Sequence, residues 1–189
     1  MNGLWQLWKG HLSDEVVDNI IKTAYQYDEM EAEVGIKGKP NNKARSSKIR
    51  WIPLATENTN LINLLYDKFD YANRYCFGLD IHRIYDIQYT EYHAEDKGFY
   101  NEHMDTFFGE GEKQHRKLSM TIQLSDSKDY EGGDFIFNDG CVNIHPAQEE
   151  LRMKGTVLVF PSIFLHQVNP VTKGIRKSLV SWIEGPAWR

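Results

Sequence analysis

The run Ile175-Arg176-Lys177-Ser178-Leu179-Val180-Ser181-Trp182-Ile183-Glu184 changes character with a period of two. On an extended strand, Arg176, Ser178, Val180 and Trp182 leave one face, and Lys177, Leu179, Ser181 and Ile183 leave the other. Four upstream stretches, 84–92, 116–124, 134–137 and 155–160, are also short β-rich runs bounded by Gly, Asn, Asp and Pro. In one of them Ser119, Thr121 and Gln123 alternate with Met120, Ile122 and Leu124, which predicts a polar face lining a cavity. Two helices precede these strands. Ser13 can cap the first, with Asp14 and Glu15 complementing its dipole and Val16, Val17, Ile20, Ile21 and Ala24 forming one apolar stripe. The second is expected to begin near Thr59, to bury Leu61, Ile62, Leu65, Phe69 and Ala72, and to stop around Gly78. The expected fold is therefore mainly β with flanking helices: a β-sandwich or jelly roll backed by N-terminal helices.

With 189 residues, 41% of them hydrophobic and 13% aromatic, the chain suits one domain over 1–189, with helical support in 1–80 and the β core at about 81–189. A net charge of -5 argues against a nucleic-acid partner or an anionic membrane surface. Cys76 and Cys141 form no C-x-x-C pair and read as reduced thiols. No apolar run approaches the about 18 residues of a membrane span, and the first residues lack a basic segment followed by a hydrophobic one, so the expected location is cytoplasmic. The segment Lys37 to Arg50 is basic without acidic residues, which fits a solvated surface loop, with a substrate-gripping lid as the alternative. Oligomeric state is left open.

The chemistry lies in His103-Met104-Asp105, then His166, then Arg176. Two residues apart on a strand, His103 and Asp105 would share a face, with α-carbons about 6.5 Å apart, and one metal can meet both. A His-x-Asp arises by chance about 0.5 times in a chain of this composition, so context must carry the reading. Phe99, Tyr100, Phe107 and Phe108 supply an apolar setting in which an unpartnered His and Asp would be costly. His93-Ala94-Glu95 has the same spacing but runs into a polar turn. His166 follows the strand Thr156–Phe160 and a Pro161-Ser162 turn, and would complete a two-histidine, one-carboxylate face of the kind found in non-haem Fe(II) oxygenases. Arg176, beside the hydroxyl of Ser178, can receive a carboxylate through two parallel hydrogen bonds; a structural salt bridge is the alternative. The other histidines, His11, His82, His93, His115 and His145, are expected at the surface or in turns.

Further stretches join these residues: Tyr100-Asn101-Glu102-His103-Met104-Asp105, Tyr130-Glu131-Gly132-Gly133-Asp134-Phe135, Lys154-Gly155-Thr156-Val157-Leu158-Val159-Phe160-Pro161, and residues 166–176. Together the set resembles the 2-oxoglutarate and Fe(II)-dependent oxygenases, in the prolyl 4-hydroxylase-like branch that includes PKHD-type hydroxylases. It does so closely over roughly 85–184, and more loosely at the first helix and at Arg45–Trp51. The resemblance implies a double-stranded β-helix. It implies that His103, Asp105 and His166 hold Fe2+, that Arg176 and Tyr92 bind the distal carboxylate of 2-oxoglutarate, that Ser178 assists and that Trp182 walls the pocket. Tyr89 is near enough in sequence to be confused with Tyr92. Arg116, Arg45 and Ser47 resemble substrate-side residues, and Gln123 can touch the co-substrate. The implied reaction consumes O2 and 2-oxoglutarate, yields succinate and CO2, and hydroxylates an unactivated C–H bond, with ascorbate as a reductant. A prolyl residue in a peptide or protein is the leading substrate. A small metabolite, sugar or nucleobase is the alternative, and a non-catalytic jelly-roll binding module is a reading of another class.

Overall fold

The computed structural model describes residues 3–32, 44–109, 111–138, 140 and 145–188. A short strand β1 (Gln6–Trp8) leads to helix α1 (Asp14–Ala24), whose first turn is capped by Ser13 Oγ accepting from Val16 N at 3.4 Å. Strands β2 (Met30–Glu31), β3 (Arg45–Ser46) and β4 (Lys48–Trp51) precede helix α2 (Thr59–Ala72). Helix α2 continues as a π-helical turn over Asn73–Phe77 and ends at Gly78, whose φ of 62° suits a residue without Cβ. Then come β5 (Arg83–His93), β6 (Phe99–His103), β7 (Gln114–Gln123), β8 (Tyr130–Gly132) and β9 (Phe135–Phe137). A single helical turn α3 (Gln148–Leu151) precedes β10 (Val157–Pro161), β11 (His166–Val168) and β12 (Val171–Pro186).

The strands form two antiparallel sheets. The larger runs β1-β10-β7-β12-β5-β4-β2, with β8 also pairing β12; the smaller runs β3-β6-β11-β9. On β12 the period of two sorts side chains as the sequence predicts. Leu179 and Ile183 join Met120, Ile122, Val157 and Val159 under the helices, packed on Val17, Ile20, Leu65 and Phe69. The opposite face of the sheet meets the smaller sheet through a second apolar cluster, in which Phe160 contacts Phe135 and Phe137 at ring-centroid distances of 5.6 and 5.1 Å. Two sheets packed face to face, with helices on one outer face, make a jelly roll backed by helices.

Residues 37–43 of the basic stretch lie outside the described residues, as does Cys141. Its remainder is not a solvated loop but strand. Ile49 is 4% exposed and pairs with Thr90 on β5, and Arg45 is 7% exposed. His115 also departs from expectation: it is buried within β7, where its Nδ1 accepts from Trp188 N. The Cys76 thiol is half-buried and donates to Gln6 Oε1. Among the described residues no helix is long and apolar enough to cross a membrane.

Candidate metal and anion site

His103 closes β6 and His166 opens β11, and the antiparallel register pairs them directly. Asp105 is not on the strand. It lies in the bend after it, where its main-chain N donates to Ser162 O and turns the carboxylate back beneath the two imidazoles. One donor atom from each of His103, Asp105 and His166 fits within 4.8 Å of the others, and they are the only such group among the described residues. His103 Nδ1 donates to Asn101 O at 2.8 Å and His166 Nδ1 donates to Phe164 O at 2.9 Å, so both Nε2 atoms are left as lone-pair donors facing Asp105, each 3.5 Å from one of its oxygens. Asp105 Oδ2 accepts from Ser119 Oγ at 2.6 Å, and that hydroxyl contacts Ser162 Oγ. Burial would raise the Asp105 carboxyl, but His166, His103 and the Ser119 hydroxyl hold it well below the usual carboxylate range. Burial pushes His166 down to about 4 against the pull of Asp105, so its imidazole is neutral at pH 7 and free to ligate. Two imidazoles and one carboxylate on a single concave face fit a divalent transition metal that keeps open positions.

The triad opens into a pocket of about 320 Å³ between the sheets, also lined by Arg176, Tyr92, Ser178 and Trp182. Arg176 is 5% exposed and makes no ion pair with a carboxylate among the described residues. A buried guanidinium with no counter-charge among the described residues calls for an anion. Tyr92 is its direct cross-strand neighbour, with the guanidinium 5.6 Å from its ring centroid. Tyr89 points to the other face, where its hydroxyl donates to Glu91 Oε1 at 2.6 Å, so register separates the two tyrosines. Gly133, at φ 66°, lies so near Arg176 that a Cβ would come within 3.0 Å of its Cδ.

Arg116 lies across Trp182 at 3.9 Å, with Asp86 Oδ2 at 3.6 Å. Arg45 lines the same pocket: its Nε donates to Ser47 Oγ at 2.7 Å and one NH2 donates to Gln88 Oε1 at 2.9 Å. The sequence singles out Arg45 and Ser47 but misses Tyr100 as a link. Its ring stacks on His103 with centroids 3.5 Å apart and carries the Arg45 guanidinium at 4.5 Å on the ring. The rival His93 is held by Glu91 and Glu95 instead, and these three do not gather into a metal-ligand group among the described residues. At the pocket mouth Met104, Phe107 and Trp51 form a partly exposed apolar rim.

A sequence profile of the 2OG-Fe(II) oxygenase superfamily matches residues 87–184. A PKHD-type hydroxylase of Idiomarina loihiensis is 34% identical over 46% of this chain and 37% of its own length. One from Synechococcus sp. is 37% identical over 45% of this chain and 36% of its own. The matched stretch thus spans little more than a third of these curated relatives. Among solved structures, a viral collagen prolyl hydroxylase from Paramecium bursaria Chlorella virus-1 is 21% identical, with a TM-score of 0.70 over 97% of both chains. A Pseudomonas putida prolyl-4-hydroxylase is 19% identical, with a TM-score of 0.72 over 97% of this chain and 94% of its own. These two structures share the fold.

Proposed function

Because the chain belongs to the 2OG-Fe(II) oxygenase superfamily, we propose that it is a 2-oxoglutarate and Fe(II)-dependent dioxygenase that hydroxylates an unactivated C–H bond, with a prolyl residue of a polypeptide as the leading substrate. Fe2+ held by His103, Asp105 and His166 would supply the oxygen chemistry, consuming O2 and 2-oxoglutarate and releasing succinate and CO2. The observation that carries this reading is the coincidence, in one pocket, of a preorganised His-Asp-His face and a buried Arg176 that meets no carboxylate among the described residues. Arg176, with Tyr92 opposite it and Ser178 on the same strand face, receives the distal carboxylate of 2-oxoglutarate. Trp182 and Phe160 exclude water from the walls of the pocket. Arg116, Arg45 and Ser47 lie on the substrate side.

The apolar rim of Met104, Phe107 and Trp51 favours a polypeptide over a small polar metabolite, because an enclosed metabolite would leave those side chains in water. A solved prolyl hydroxylase from Trichoplax adhaerens, of the same fold, is in complex with a peptide fragment of hypoxia inducible factor. A cytoplasmic location and one domain across the chain are parts of the same reading. The test is succinate release from 2-oxoglutarate with Fe2+ and ascorbate, followed by mass spectrometry for gain of one oxygen atom on prolyl peptides and on a metabolite panel. Succinate release that does not depend on iron would overturn the oxygenase reading. Oxygen gain confined to metabolites would overturn the polypeptide one.

A further inference from the structure

Beside Arg176 lies a small void lined by Arg176, Thr121, Gln123, Thr156 and the apolar side chains of Phe135, Leu151 and Leu158. Its volume of about 10 Å³ is room for a single water. Arg176, Thr121 and Phe135 border both this void and the main pocket, so the two spaces adjoin. Gln123, 3% exposed, is oriented by its neighbours: its Nε2 donates to Ser125 O at 3.0 Å and to Tyr130 Oη at 3.1 Å. The main-chain carbonyl accepts only, so it fixes which end of the amide is nitrogen. Gln123 Oε1 is then left buried, receiving no hydrogen from any described residue. A buried acceptor of this kind is costly unless something donates to it. A carboxylate cannot donate, whereas a water can serve both partners at once, giving one hydrogen to the amide oxygen and the other to a carboxylate held by Arg176.

We propose that Gln123 is a specificity-determining residue for the co-substrate, holding one water in the void beside Arg176 so that this water donates to the distal carboxylate of a dicarboxylic keto acid. The inference rests on the proposed function and assigns a role to a residue that touches neither metal nor substrate carbon. It separates Gln123 from a purely structural amide, because only the water-bridged role distinguishes ligands by their far end.

The experiment measures binding by calorimetry to the Zn2+-loaded protein, where no turnover interferes, with 2-oxoglutarate and with 2-oxopentanoate, which lacks the distal carboxylate. In Gln123→Leu, 2-oxoglutarate is expected to bind about five- to tenfold more weakly, with 2-oxopentanoate unchanged. Gln123→Met, nearer in length, is expected to do the same and serves if the leucine variant does not fold. Equal loss for both ligands, or no loss for either, would overturn the inference while leaving the functional reading intact. If the unaltered protein itself fails to prefer 2-oxoglutarate to 2-oxopentanoate, the carboxylate role of Arg176 falls and this inference falls with it.

Discussion

Both candidate metal-binding imidazoles are oriented by main-chain carbonyls two residues upstream, so their tautomers are set by local backbone, and Asp105 is freed to act as a ligand. Asp105→Ala should weaken Co2+ or Fe2+ binding by more than about 100-fold with the β circular dichroism retained; unchanged affinity in a metal titration would remove the assignment. Arg176→Lys should weaken 2-oxoglutarate binding at least about tenfold, because an ammonium cannot reproduce a two-point contact. Equal affinity in calorimetry would reject the anion role. A pH effect follows from His166, whose folded value of about 4 lies below the 6.5 of an unperturbed imidazole. Between those limits the unfolded chain binds the proton and the folded one does not, so the metal-free protein should lose stability as pH falls from 6.5 towards 4, by on the order of 3 kcal/mol. Thermal melts of His166→Gln should lack that slope. The sequence carries His103, Asp105, His166 and Arg176 because each stands in a local pattern of spacing and context. Tyr100 escapes it because ring stacking on His103 and Arg45 joins separate strands, and Tyr89 and Tyr92 are told apart only once the β5–β12 register is known.

Among the elements, the long strands read well and the short ones poorly, for one reason. Strands β5, β7 and β12 are long enough to repeat a two-residue pattern several times, whereas β2 and β3 have two residues each and cannot show a period. Charge also misleads: Arg45 looks solvated by composition, yet its guanidinium is satisfied by Ser47 and Gln88 inside the pocket. Helix α2 reads well from its stripe, and its end is set by Gly78. The turn holding Gly133 ties fold to site. Gly133→Ala would be strained at φ 66° and would press on Val171 Cγ2 and Arg176 Cδ. It should cost about 1–3 kcal/mol and shift the guanidinium, so chemical denaturation and 2-oxoglutarate affinity should worsen together. A loss of stability with co-substrate affinity intact would argue that the turn does not position Arg176.

Across the whole molecule, the larger sheet separates two functions. Its helix-side face carries the apolar core with Leu65 and Phe69, and its other face carries the pocket. Phe69→Ala, at a fully buried position, should lower stability by about 3–5 kcal/mol yet leave metal affinity of the folded protein unchanged in titrations below its melting temperature. A parallel loss of metal affinity would show that the two faces are coupled. The direct pairing of His103 with His166 has a further consequence. An ion gripping both would close a circuit of roughly sixty residues between two short strands that otherwise share few backbone bonds. Deuterium uptake along β6 and β11 should therefore slow sharply once the ion is added, while the helices behind the larger sheet exchange as before.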